Sequence, residues 1–124
     1  MGLGLLIDSN VIIELHSNKL DEARIQLLEN NPVFCFDISK IEVLGFPLAL
    51  VDETELRHFF NCLPSISLDD KIIEMSILIR KTNKIKLGDA IIAATALVSD
   101  PTLLTRNVTD FKRIEGLVVL DSHQ

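Results

Sequence analysis

Short apolar runs alternate with amphipathic stretches along this chain. "LGLLI" (Leu3 to Ile7) is apolar at every side chain and too short for a helix, so it predicts a buried strand. Ser9 can cap a helix that runs to about Leu15. "LDEARIQLLEN" (Leu20 to Asn30) places Leu20, Ala23, Leu27 and Leu28 at helical spacing, and "NNP" breaks it. "VFCF" (Val33 to Phe36) predicts a second buried strand. Asp37 can cap a following helix over "ISKIEVLGF", ended by Gly45 and Pro47.

The second half repeats the alternation. "DETELRHFFNCL" (Asp52 to Leu63) gathers Leu56, Phe59, Phe60 and Leu63 on one helical face. That stripe reads as core, or as a groove for a partner. "SISL" (Ser65 to Leu68) is a strand candidate. "DDKIIEMSILIRKTN" opens with acids and closes with cations, as the helix dipole favours. "LGDAIIAATALVS" (Leu87 to Ser99) predicts a closely packed helix rich in small residues. "TLLT" (Thr102 to Thr105) and "LVVL" (Leu117 to Leu120) complete the strands. Buried strands alternating with helices imply an α/β fold, with a parallel sheet covered on both faces.

With 124 residues, 48% of them hydrophobic, the chain fits one domain with a substantial core. Its longest small-and-apolar stretch, Ala90 to Val98, is too short to cross a membrane. No basic n-region or cleavage site marks a signal peptide, so a cytoplasmic protein is expected. Cys35 and Cys62 have no CxxC spacing and read as reduced structural thiols. His16, His58 and His123 are scattered without metal-ligand spacing. The net charge of −6 argues against a protein that simply coats a nucleic-acid backbone, unless several acids gather in one place and hold cations.

Ligands of open α/β sheets bind beyond the carboxyl ends of the strands. Asp8 stands there, wedged between "LLI" and "VII", where a lone carboxylate is costly. Glu42 follows the second strand among Ile41, Val43 and Leu44. Asp89 opens the Ala-rich helix, and Asp110 follows "TLLT". Each acid has a bland alternative: an Asx turn, a solvated helix residue, a first-turn acid or a turn former. Together they suggest a cluster that would repel itself unless hard divalent cations such as Mg²⁺ or Mn²⁺ bridged it.

"LLIDSNVII", "ISKIEVLGF", "KLGDAIIAATAL" and "LLTRNVTDFKRIEGLVVL" occur in the order of the motifs of PIN-domain ribonucleases. The sequence resembles in particular the VapC-type toxins of toxin–antitoxin pairs. The resemblance covers nearly the whole chain and implies a single PIN domain over residues 1–124, an α/β/α sandwich around a mainly parallel sheet. It implies a Mg²⁺- or Mn²⁺-dependent endoribonuclease, a cognate VapB-like antitoxin and a homodimer. Carried over to this chain, Asp8 and Asp89 would bind metal directly, with Glu42 and Asp110 binding a second ion or holding its waters. Ser9 replaces a usual Thr and keeps the hydroxyl; Asn10 fits the pattern. Thr105 resembles a hydroxyl residue that hydrogen-bonds within the site. Asn107 stands where some members carry another acid, and Gly88 where Pro is frequent.

"RKTNKIK" holds Arg80, Lys81, Lys84 and Lys86 and leads into the Asp89 motif. With Arg106, Lys112 and Arg113 it could form a rim against an RNA backbone, or simply a solvated helix end. Two other classes fit less well: a haloacid-dehalogenase-like phosphatase needs an Asp where Asn10 stands, and a receiver-like domain needs its acceptor Asp later in the chain. A non-catalytic binding module is the remaining rival, and a folded active-site variant that no longer cleaves RNA separates enzyme from module. Within the nuclease reading, the alternative is an RNA-processing enzyme without an antitoxin.

Overall fold

The computed structural model describes residues 4–123. Five strands lie in the order β3-β2-β1-β4-β5, and every pairing is parallel. They are β1 (Leu5–Ile7), β2 (Val33–Phe36), β3 (Ser65–Ile66), β4 (Thr102–Thr105) and β5 (Val119–Asp121). Seven helices connect them among the described residues: α1 (Ser9–His16), α2 (Glu22–Glu29), α3 (Asp37–Leu44), α4 (Leu50–Cys62), α5 (Asp70–Thr82), α6 (Leu87–Ser99) and α7 (Val108–Lys112).

The period-two alternation of the strands divides the core. Leu6, Phe36 and Leu103 pack on one face with α5, α6 and α7, through Ile72, Ile79, Ala90, Ala93 and Phe111. Ile7, Cys35 and Leu104 face the other way, toward Val11, Ile12, Val43, Leu56 and Phe60. The result is an α/β/α sandwich whose sheet is wholly parallel. The small residues of α6 explain its depth: Ala90, Ile92, Ala93, Ala94, Thr95 and Ala96 are all buried. Asp100 ends α6 in the left-handed region, at φ 73°, and Pro101 prevents continuation.

Several expected boundaries move. Asp8, not Ser9, is the N-cap of α1; its side chain accepts a hydrogen bond from the Val11 N–H. Asp37 lies inside α3 rather than capping it, and its carboxylate accepts from the Ser65 hydroxyl at 2.6 Å, tying α3 to β3. α4 begins at Leu50, two residues early, because its N-cap is Ala49 with no side-chain bond to announce it. β3 keeps only two residues and β5 starts at Val119, since Leu68 and Val118 turn out to solvent. Leu3, expected to begin β1, lies outside the described residues. Cys35 is buried as expected, whereas Cys62 is exposed. In the Leu56 stripe, Leu56 and Phe60 are core; Phe59 and Leu63 line a cavity of about 240 Å³ with Ile25 and Leu28. Among the described residues no helix is long and apolar enough to cross a membrane.

Candidate acidic site

β1 is the centre of the sheet. From it the chain builds β2 and β3 to one side, then returns to place β4 and β5 on the other. The strand order therefore reverses between β1 and β4, and the carboxyl ends of these two strands open a crevice. Asp8 follows β1 and Thr105 ends β4, so both stand at that opening.

Asp8 is held twice. Its Oδ1 accepts from the Val11 N–H at 3.2 Å, and its Oδ2 accepts from the Thr105 hydroxyl at 2.5 Å. Thr105 is fully buried, and its Oγ1 accepts from the Asn107 N–H at 3.0 Å. With that lone pair used, its single proton is directed at Asp8. Burial nevertheless pushes the Asp8 carboxyl up to about 6; the bonds from Thr105 and Val11 oppose this, and the charges of Asp89 and Glu14 add to it.

Glu42 projects from α3, and its Oε1 accepts from the Ser9 hydroxyl on α1 at 2.6 Å. Asp89 lies in the first turn of α6. Burial raises its pKa, Lys86 lowers it, and the charges of Asp110 and Glu42 raise it again. Gly88 gives Glu42 its room: a Cβ there would sit 2.8 Å from Glu42 Oε2. Asp110, on α7, accepts from the Asn107 side-chain amide at 2.7 Å.

Asp8, Ser9, Asn10, Glu42, Gly88 and Asp89 line one crevice of about 200 Å³, walled by Ile13, Phe36, Phe46 and Ile92. Asp110 stands outside that lining, though its charge reaches Asp89. Of the basic rim, Lys86 lies closest in effect, directly before α6. Arg80 and Lys81 end α5, and Arg113 donates to the Lys84 carbonyl, fixing the loop between α5 and α6. Arg106 turns elsewhere and donates to Glu14 Oε2 at 3.0 Å.

Glu14 was not singled out by the sequence. It is 5% exposed, bonded to both Arg106 and His123, and near enough to Asp8 to raise its pKa. Its position three residues after Val11, on the buried side of α1, was the available signal. Also unforeseen, His16 comes close to Asp52 and Glu55, across 36 residues or more of sequence.

No cation among the described residues forms an ion pair with Asp8, Glu42, Asp89 or Asp110. No three of these acids bring oxygens within 4.8 Å of one another. An all-oxygen donor set suits a hard divalent ion that keeps several waters, as Mg²⁺ does, though these side chains would have to draw closer to share one ion.

The PIN domain family model matches residues 5–117, which takes in all four acids and the strands that present them. The chain belongs to the PIN domain family. Solved structures agree over its length. A toxin–antitoxin complex from Klebsiella pneumoniae contains a chain 31% identical, with a TM-score of 0.79, covering 97% of this chain and 98% of that one. DNA-bound VapBC from Salmonella typhimurium matches at 22% identity and a TM-score of 0.82, covering 96% and 98%. FitAcB from Neisseria gonorrhoeae matches at 20% identity and 0.74, covering 95% and 97%. No curated protein sequence matches significantly. In this PIN domain the crevice thus lies at the switch point of a family fold, and the resemblance in motifs extends to the whole three-dimensional structure.

Proposed function

We propose that this PIN domain is a metal-dependent endoribonuclease and the toxin of a toxin–antitoxin pair. The observation that carries the catalytic reading is the convergence of Asp8, Glu42 and Asp89 on one crevice, with Asp8 pushed to about 6 and no protein cation paired to any of them. Such a cluster is unfavourable unless a cation joins it.

Asp8 and Asp89 would hold the ion, with Asp110 contributing charge from α7. A bound Mg²⁺ or Mn²⁺ supplies a lowered water pKa and charge that clamps the phosphodiester for in-line attack. Glu42, oriented by the Ser9 hydroxyl, would accept a hydrogen bond from a water held by the ion. Thr105 holds Asp8 Oδ2 in place. Lys84 and Lys86, exposed beside α6, contact the RNA backbone without reading bases. No pair of histidines lines the crevice to act as acid and base, and a water nucleophile does not use the ribose 2′-hydroxyl.

The partner reading is supported by the toxin–antitoxin complexes matched above and by exposed apolar surface at the crevice mouth. Phe46 is 62% exposed, and Ile41, Leu50 and Val51 on the adjoining α3 and α4 are more exposed still. An apolar face of this kind beside a charged crevice suits an antitoxin segment. Incubating purified protein with RNA and Mn²⁺, then analysing product ends, tests the chemistry. Phosphate monoesters and free hydroxyls are expected; 2′,3′-cyclic phosphates would overturn the water mechanism. Co-expression with the product of the adjacent reading frame tests the pairing: rescue of growth is expected, and toxicity that persists counts against an antitoxin encoded there.

A further inference from the structure

The last turn of α1 and the first turns of α4 meet outside the lining of the acidic crevice. There His16 Nε2 lies 3.1 Å from Asp52 Oδ1 and 3.8 Å from Glu55 Oε1, and one ligand atom from each residue lies within 4.8 Å of the other two. We propose that His16, Asp52 and Glu55 form a second cation site, selective for a Zn²⁺-like ion, that pins α1 to α4.

The donor set is the first argument. One imidazole nitrogen with two carboxylates suits zinc, whereas Mg²⁺ and Ca²⁺ take oxygen alone. Geometry is the second. Bonds of about 2.0–2.1 Å in a tetrahedron put ligand atoms roughly 3.3 Å apart. The two observed separations, 3.1 and 3.8 Å, straddle that value, so small rotations close the site. Asp52 and Glu55 are three residues apart on α4 and therefore share a face. Charge is the third. Among the described residues neither carboxylate pairs with Lys or Arg, so even a protonated His16 leaves one negative charge uncompensated. A simple ion pair would need only one of the two acids. Three protein ligands leave a fourth position for water, and side-chain exposures of 25%, 46% and 61% leave it open to solvent.

The site has a mechanical consequence. His16 and Asp52 border a cavity of about 430 Å³ that Ile13 and Phe46 also line, and the same two apolar residues wall the acidic crevice. Fixing α1 to α4 would therefore steady the 45–49 connection that carries Phe46. A rival chelate exists on α4, where His58 Nε2 lies 3.6 Å from Cys62 Sγ; it offers only two ligands.

Cobalt is the probe, because a tetrahedral site gives it a far stronger visible band than an octahedral one. Co²⁺ is titrated into the wild type in excess Mg²⁺, with Zn²⁺ added afterwards to displace it. One equivalent of tetrahedral cobalt is expected, without the near-ultraviolet thiolate transition that Cys62 would give, and unchanged in Cys62→Ser. His16→Ala should abolish the band. Glu55→Gln, at an exposed position that leaves folding intact, should weaken cobalt binding at least about tenfold, the cost already typical of losing a group one step further from an ion. No tetrahedral band in the wild type, a band that survives both substitutions, or one that follows Cys62 would each overturn the proposal. Because the readout depends on His16 and Glu55, it stands or falls separately from the nuclease reading.

Discussion

Replacing Asp8 by Asn should change how stability depends on pH, in a direction that the geometry fixes. The Asp8 carboxyl is pushed from an ordinary 3.8 to about 6, chiefly by burial. The folded protein therefore binds a proton at Asp8 more readily than the unfolded chain does. The associated stability is fully present below pH 3.8 and is lost as pH rises through 6. A shift of roughly two units corresponds to about 3 kcal/mol. Asn keeps an oxygen to accept from the Val11 N–H and caps helices as well as Asp. It cannot keep the charge-assisted bond from Thr105, which offsets part of the gain at any one pH. The difference between the two proteins across pH 4 to 7 cancels the titration of every carboxylate that behaves alike in both. In chelator, the variant should gain about 2.4 kcal/mol on the wild type between those limits, roughly 9 °C in melting temperature for a chain of this size. Thermal unfolding followed by circular dichroism measures it. Stability curves that run parallel from pH 4 to 7 would instead mean that Asp8 is an ordinary solvated cap.

Mn²⁺ at a hundredfold excess over its Kd should stabilise the wild type by about 2.7 kcal/mol in a melting experiment, with little effect on Asp89→Asn. Thr105→Val should cost about 2 kcal/mol at neutral pH through the lost bond to a charged acceptor. It should also raise the Asp8 pKa further, moving the pH profile of Mn²⁺ binding to higher pH, as calorimetry would show. Replacing Lys84 and Lys86 by Glu should weaken binding to RNAs of different sequence alike, and flatten the salt dependence by roughly 0.7 per lost contact; an unchanged slope would make these lysines solvated bystanders.

Much of this was legible because the governing signals are local. The strand "LLI" is buried throughout and reads as an unbroken apolar run, and "VFCF" is apolar at every position. The placing of Asp8, Glu42 and Asp110 after β1, β2 and β4 follows from chain order once the sheet is parallel, whereas Asp89, which opens α6 directly after another helix, reaches the crevice through packing. What escaped depended on partners far away in sequence. Glu14 reads as one more acid on a helix until Arg106 and His123 arrive from more than ninety residues on. The distance between His16 and Asp52 is set by how α1 and α4 cross the same face of the sheet, which no spacing encodes. A boundary failed where no cap chemistry marked it, at Ala49, and α7, only five residues long, was not foreseen as a helix at all. Whether Asp8 or Ser9 would cap α1 was undetermined by residue type, since both are good caps; the structure gives Asp8 the cap and leaves the Ser9 hydroxyl for Glu42.

The most direct test of the central claim is RNA cleavage by the purified, partner-free protein, with and without Mn²⁺, beside Asp8→Asn and Asp89→Asn. Internal cuts by the wild type should require the ion, stop in chelator and be absent from both variants while their circular dichroism stays native. Cleavage that persists in chelator or in either folded variant would contradict the claim, as would a metal-loaded wild type that leaves a mixed RNA pool intact.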